Sequence, residues 1–176
     1  MAKILFIISP QGFRDEELLH TKEVLDNADF ETEIASTKKW TCDGMLGAKV
    51  ESKFSLGEVK LDNYDAIIYV GGRGTPLIRK EEKAIEIAKE AYKKGKFVCA
   101  ICWAPTTLAK AGVLKGKKAT VWVGHDGEYK TETPQVLEKF GAIYVNQSVV
   151  QDGKIITADG PSSAKQFGEK IKEVLS

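Results

Sequence analysis

Cysteine is scarce in this sequence and odd in number: Cys42, Cys99 and Cys102 among 176 residues. No spacing suggests a disulfide framework, so free thiols in a reducing, cytoplasmic setting are expected. Histidine is scarcer, with His20 and His125 alone. Few proton carriers are on offer, and no metal site is expected. Neither sign of charge is in excess, since 26 Lys plus Arg face 25 Asp plus Glu for a net charge of +1. That balance argues against nucleic acid or an anionic membrane as a partner, because each needs a cationic face. Arginine is nearly absent, with Arg14, Arg73 and Arg79 as its whole complement. No apolar run approaches the roughly 20 residues that cross a bilayer. Met1 to Ile8 has one lysine before a short apolar run and no small-residue cleavage site, so it reads as a first strand. No repeat, low-complexity tract or linker interrupts the chain, and one domain over 1–176 is expected.

What is present is 43% hydrophobic and 29% charged. At this length about 70% of the unfolded chain's surface can be buried, enough for one core without staples. Short apolar runs rich in Ile, Val and Phe alternate with segments of helical period, which is the pattern of doubly buried strands joined by helices. Strands are expected over Lys3 to Ile8, Glu31 to Ser36, Ala66 to Val70, Phe97 to Ile101, Ala119 to Val123 and Ile143 to Val145. Helices are expected over Asp15 to Asn27, Glu81 to Lys94, Thr133 to Phe140 and Ser162 to Leu175. Trp40 to Phe54 reads as a hairpin excursion, and Asp152-Gly153 between two apolar runs marks another over Val149 to Thr157. The sum is an α/β three-layer sandwich with a mostly parallel sheet and small β-hairpin additions.

In such a sheet ligands sit beyond the carboxyl ends of the strands. Four junctions lie there: Ser9 to Asp15, Gly71 to Pro76, Cys102 to Pro105 and Gly124 to Gly127. At the third, a buried-strand pattern stops at Cys102 and a helical pattern begins, the layout of a nucleophile elbow. The free N–H groups of the following helix favour a thiolate there and can hold an oxyanion. The same residue also reads as a small buried apolar side chain. Pairing of Cys99 with Cys102 is disfavoured, because three residues of strand separate their Cα atoms by about 10 Å, beyond the roughly 7 Å a disulfide tolerates. The glycines of Gly71-Gly72-Arg73-Gly74 let backbone N–H groups approach a ligand. The third glycine of a dinucleotide fingerprint is missing and Pro76 interrupts the helix start, so no cofactor is expected. Gly112 to Lys118 falls short of a P-loop, with one residue too few between its glycines and no Ser or Thr after the lysine.

The order of Phe13-Arg14-Asp15-Glu16-Glu17-Leu18, Gly71-Gly72-Arg73, Lys96-Phe-Val-Cys-Ala-Ile-Cys102 and Leu108 to Lys117 resembles the PfpI and ThiJ family of glutamine-amidotransferase-like folds. The resemblance implies a flavodoxin-like sandwich and assembly into dimers or larger homo-oligomers. It also implies Cys102 as a nucleophile, with the backbone N–H groups of Gly72 and Trp103 as an oxyanion hole. Two positions depart from the pattern. Trp103 stands where peptidase-like members have histidine. Aligned without gaps on Phe-Glu-Asp-x-Glu, Arg14 occupies the place of the glutamate that meets the sulfur, and it would pull the thiol's pKa down. Glu16 or Glu17, one turn on, are the replacements if Arg14 points to solvent, and both also suit a solvated first helical turn. His125, with Asp126 to orient it, is a candidate base, while His20 reads as helix surface or a subunit contact. The resemblance implies a cysteine-dependent hydrolase or a deglycase or glyoxalase, acting on small carbonyl or peptide substrates with Arg14, Glu16, Glu17, Gly71 and Arg73 around the bound molecule. The alternative is a non-catalytic redox-sensing or protective protein whose Cys102 oxidises reversibly.

Overall fold

The computed structural model describes residues 1–176, and its centre is one seven-stranded sheet. Numbered in chain order, its strands are β1 (Lys3–Ile7), β2 (Glu31–Ser36), β3 (Phe54–Ser55), β4 (Ala66–Tyr69), β5 (Phe97–Ile101), β6 (Val149–Asp152) and β7 (Ile155–Ala158). They lie in the order β6-β7-β5-β4-β1-β2-β3. Every neighbouring pair is parallel except the β6–β7 hairpin. Register is set by period-2 burial on both faces: Leu5, Ile7, Ile67, Tyr69, Val98 and Ala100 enter one core, and Ile4, Phe6, Ala66, Ile68, Cys99 and Ile101 enter the other. A slip of one residue would exchange the two sets.

Helices α1 (Asp15–Asn27) and α6 (Ala164–Leu175) cover the second of these faces with Leu18, Leu25, Phe167 and Ile171. Helices α3 (Glu82–Lys93), α4 (Pro105–Lys110) and α5 (Thr133–Lys139) cover the first. The flavodoxin-like three-layer arrangement expected from the sequence is therefore present. Gly168 lets α6 approach α1, since a Cβ there would meet Val24 Cβ at 3.0 Å. No helix is long and apolar enough to cross a membrane.

Three expectations need correction. Ala119 to Val123 and Ile143 to Val145 are not strands of the main sheet. They shrink to Lys118–Ala119 and Ile143–Tyr144, which pair with each other in a separate ribbon. The reason is that residues beyond Ala119 spend their N–H groups elsewhere, Thr120 on the Thr157 hydroxyl and Trp122 on the Cys102 carbonyl. Pro76 does not interrupt a helix. It sits in the first turn of the short α2 (Thr75–Arg79), where a missing N–H costs nothing. The hairpin excursion is formed by Thr41–Gly44 with Lys49–Glu51, and it is joined by Gln11–Phe13, a strand unseen in the sequence.

Candidate active site

Strand β5 ends at Ile101 and is followed by Cys102, whose φ of +65° is a left-handed conformation for a residue with a Cβ. Such backbone costs on the order of 1–3 kcal/mol and persists only where its surroundings enforce it. Here they do: the Cys102 N–H donates to Ala158 O at the end of β7 (2.9 Å), and its carbonyl accepts from Trp122 N–H (2.7 Å). The sulfur is thereby turned out of the sheet's carboxyl edge while the residue stays 8% exposed. The backbone N–H groups of Gly72 and Trp103 lie next to it and favour its ionised form. Gly72 reaches this position with φ +108°, a conformation open to glycine. The structure thus brings Gly72, Cys102 and Trp103 together as the sequence suggested.

The carboxylate at the sulfur belongs to Glu17, not to a vacancy left by Arg14. Glu17 lies fully buried in the first turn of α1, accepting the Gly71 N–H on Oε1 at 3.0 Å. Its Oε2 is buried with no hydrogen-bond partner, and the carboxyl lies beside Cys102, close enough for each to shift the other's proton affinity. Gly71 is what permits the approach: a Cβ there would meet Cys102 Cβ and Glu17 Oε1, each at 2.9 Å. Burial raises the Glu17 pKa from 4.5 to about 8, against the hydrogen bonds from Cys102 and Gly71. Burial also pushes the Cys102 thiol up, and the charge of Glu17 pushes it further, while the amides of Gly72 and Trp103 pull it back. The expected lowering of the thiol by Arg14 is therefore corrected, because desolvation outweighs it.

Arg14 points along the pocket instead. Its Nε and Nη2 clasp Glu16 at 3.1 and 3.0 Å, so these two predicted residues neutralise each other at the rim. Arg14, Arg73, Gly72, Cys102 and Trp103 line one pocket of about 230 Å³, together with Met45, Trp122 and Pro161. Met45 reaches it because Asp15 holds the hairpin loop, accepting the N–H groups of Leu46 (3.0 Å) and Ala48 (2.8 Å).

His125 is exposed, in a two-residue strand paired through Glu132, and makes no contact with Cys102. Nor does Asp126 orient it. Asp126 is buried and accepts from Trp103 Nε1 (2.9 Å) and from Arg79 Nη1 (2.5 Å) and Nη2 (3.1 Å). The Cys102, His125, Asp126 constellation is thus not assembled within the chain. His20 lies beside Glu16 and Lys165 in a separate shallow groove. Sequence reasoning missed Arg79, Trp122 and Met45 as neighbours of the elbow. They come from three separate segments, and no spacing ties them to Cys102. No group of three or more His, Cys, Asp or Glu side chains is placed to hold a metal ion.

The sequence profile of the DJ-1/PfpI family matches residues 2–174. The chain is 42% identical over 175 residues to an uncharacterised protein of Methanocaldococcus jannaschii, covering 99% of this chain and 82% of that one. It is 35% identical over 173 residues to a protein of Pyrococcus furiosus named deglycase PfpI, covering 98% and 99%. Its fold superposes on the crystal structure of a ThiJ/PfpI domain protein from Brachyspira murdochii with a TM-score of 0.90 at 28% identity, covering 98% and 95%.

Proposed function

Because this chain belongs to the DJ-1/PfpI family, we propose that it is a cysteine-dependent enzyme of the deglycase or glyoxalase type, attacking small carbonyl compounds through Cys102. The observation that carries the reading is the buried Glu17 carboxyl set against an elbow sulfur that two backbone N–H groups also face. With a pKa near 8, Glu17 exchanges between acid and carboxylate close to neutral pH, and its free Oε2 can take up the thiol proton and pass it on. In the first step the carboxylate form of Glu17 accepts the thiol proton as the sulfur lone pair forms a bond to the carbonyl carbon, and the C=O π pair moves to oxygen. The amides of Gly72 and Trp103 stabilise the developing oxyanion, the Glu17 proton is transferred to it, and Glu17 is left as the carboxylate base for the next proton transfer. No histidine is needed for this cycle.

Pocket size favours carbonyls over peptides, because about 230 Å³ is below the 300–1,000 Å³ common for larger ligands. The relative in Pyrococcus furiosus carries the name deglycase, which supports the same choice. The test is turnover of methylglyoxal by the wild type, Cys102→Ala and Glu17→Gln. Loss in Cys102→Ala by at least about a thousandfold is expected for removal of a nucleophile. An unchanged rate would sink the mechanism.

A second reading, reversible oxidation of Cys102, is favoured by the absence of any imidazole at the sulfur. Mild peroxide followed by mass spectrometry should add oxygen at Cys102 before Cys42 and Cys99, which are both fully buried.

A further inference from the structure

The pocket over Cys102 has two features that nucleophilic attack on a carbonyl leaves unused. The first is an aromatic wall braced from behind. Trp103 Nε1 donates to Asp126, which the fully buried Arg79 grips with both terminal nitrogens. Arg79 also donates to Thr106 Oγ1 at 3.0 Å, and Thr106 in turn donates to the Trp103 carbonyl at 2.7 Å. Side chain and backbone of Trp103 are therefore both fixed. The Trp122 ring leans on Trp103 with centroids 5.6 Å apart and planes at 47°, yet Trp122 keeps 37% of its surface open. A wall fixed before binding receives a flat group at little cost in entropy.

The second feature is Arg73. Arg14 is matched by Glu16, and Arg79 by Asp126 and Glu128. Arg73 alone of the three arginines has no carboxylate partner, and it lines the same pocket. Its backbone N–H meets Met45 Sδ at 3.5 Å, and its stem lies over Gly12, where a Cβ would touch Arg73 Cγ at 3.1 Å. Arg73 is exposed, and an arginine whose stem is seated and whose fork is unpaired at the pocket mouth is free to take the carboxylate of a bound molecule in a two-pronged contact.

We propose that this site selects carbonyl compounds that join an aromatic or similarly flat apolar group to a carboxylate, the flat group resting on Trp103 and Trp122 and the carboxylate on Arg73. The choice of a carbonyl rests on the function proposed for Cys102. The flat group and the anion rest on the wall and on Arg73.

The test compares three aldehydes as ligands of the full chain, following quenching of tryptophan fluorescence. 4-Formylbenzoate carries both features, benzaldehyde lacks the carboxylate and glyoxylate lacks the ring. 4-Formylbenzoate is expected to bind about tenfold more tightly than either, the return on one charge-assisted contact or one buried ring. Arg73→Gln should erase its advantage over benzaldehyde, and Trp122→Leu its advantage over glyoxylate. Equal affinities in the wild type, or an advantage that survives Arg73→Gln, would overturn the proposal. Methylglyoxal turnover without this selectivity removes the substrate class alone. Selectivity without turnover removes the catalytic reading and leaves the aromatic carboxylate as the ligand.

Discussion

Glu17 is a fully buried carboxyl with one oxygen unpartnered, and that placement sets how the protein responds to pH. Its folded pKa, about 8, lies above the ordinary 4.5. The folded state therefore holds a proton that the unfolded chain gives up. The stability this contributes is complete below pH 4.5 and is lost as pH rises through 8. Glu17→Gln, which keeps the shape and cannot ionise, should be more stable than wild type above that range by up to a few kcal/mol, and close to it in acid. Denaturant unfolding of both proteins across the range checks this, and parallel curves would rule out a buried neutral acid. Gly71 is equally specific. Gly71→Ala puts a methyl group 2.5 Å from Ile101 O and 2.9 Å from Glu17 Oε1. We expect a loss of about 1–3 kcal/mol, with a fall in turnover larger than Tm alone explains, because the carboxyl is pushed off the sulfur.

Helices carry these residues to the site, so element packing tunes the chemistry. Helix α1 holds Glu17 and is positioned by α6 through Gly168 and through the Thr21 hydroxyl, which donates to Ala164 O. Gly168→Val should wedge the pair apart, lower stability by about 1–3 kcal/mol and reduce turnover at a site far from the substituted residue. Activity unchanged at a lowered Tm would show that α1 holds its place without α6. On the opposite side, the Arg79–Asp126 pair ties α2 to the loop after Trp122. Asp126→Ala leaves the buried guanidinium with the half-exposed Glu128 as its remaining carboxylate and should cost up to about 3–5 kcal/mol, whereas Asp126→Leu with Arg79→Met should cost much less. Equal losses in the single and double variants would mean that packing, not charge, decides stability there.

Two cores share one sheet, so the molecule should unfold as a unit. Phe6→Ala in the core under α1 and α6, and Leu108→Ala in the core under α3 and α4, should each cost about 2–5 kcal/mol and move one common calorimetric transition. Two separated transitions would show that the faces melt independently. The shared sheet is also what made most of the architecture readable. Doubly buried strands such as Phe97–Ile101 announce themselves as continuous apolar runs, and α1 ends where its periodic pattern ends. The last two expected strands misled because an apolar run such as Ala119 to Val123 looks alike whether its backbone pairs with a strand or, as here, with an elbow carbonyl and a threonine hydroxyl. The elbow itself is local information: a cysteine between an apolar run and Ala104-Pro105, with paired glycines after β4, places sulfur and amides by connectivity alone. Which acid meets that sulfur is not local. Arg14, Glu16 and Glu17 lie within one turn, and a rotation of about 100° per residue decides that Glu17 faces inward while Arg14 and Glu16 pair at the rim. His125 and Asp126 are likewise chain neighbours sent to opposite environments by strand alternation. The sequence by itself thus determined the inner strands of the sheet, its long helices and the turn that presents Cys102, because these follow from periodicity along the chain. Only the tertiary structure decided the charge around the sulfur and the wall beside it, because Glu17, Asp126, Arg79 and Trp122 meet through packing that no spacing encodes.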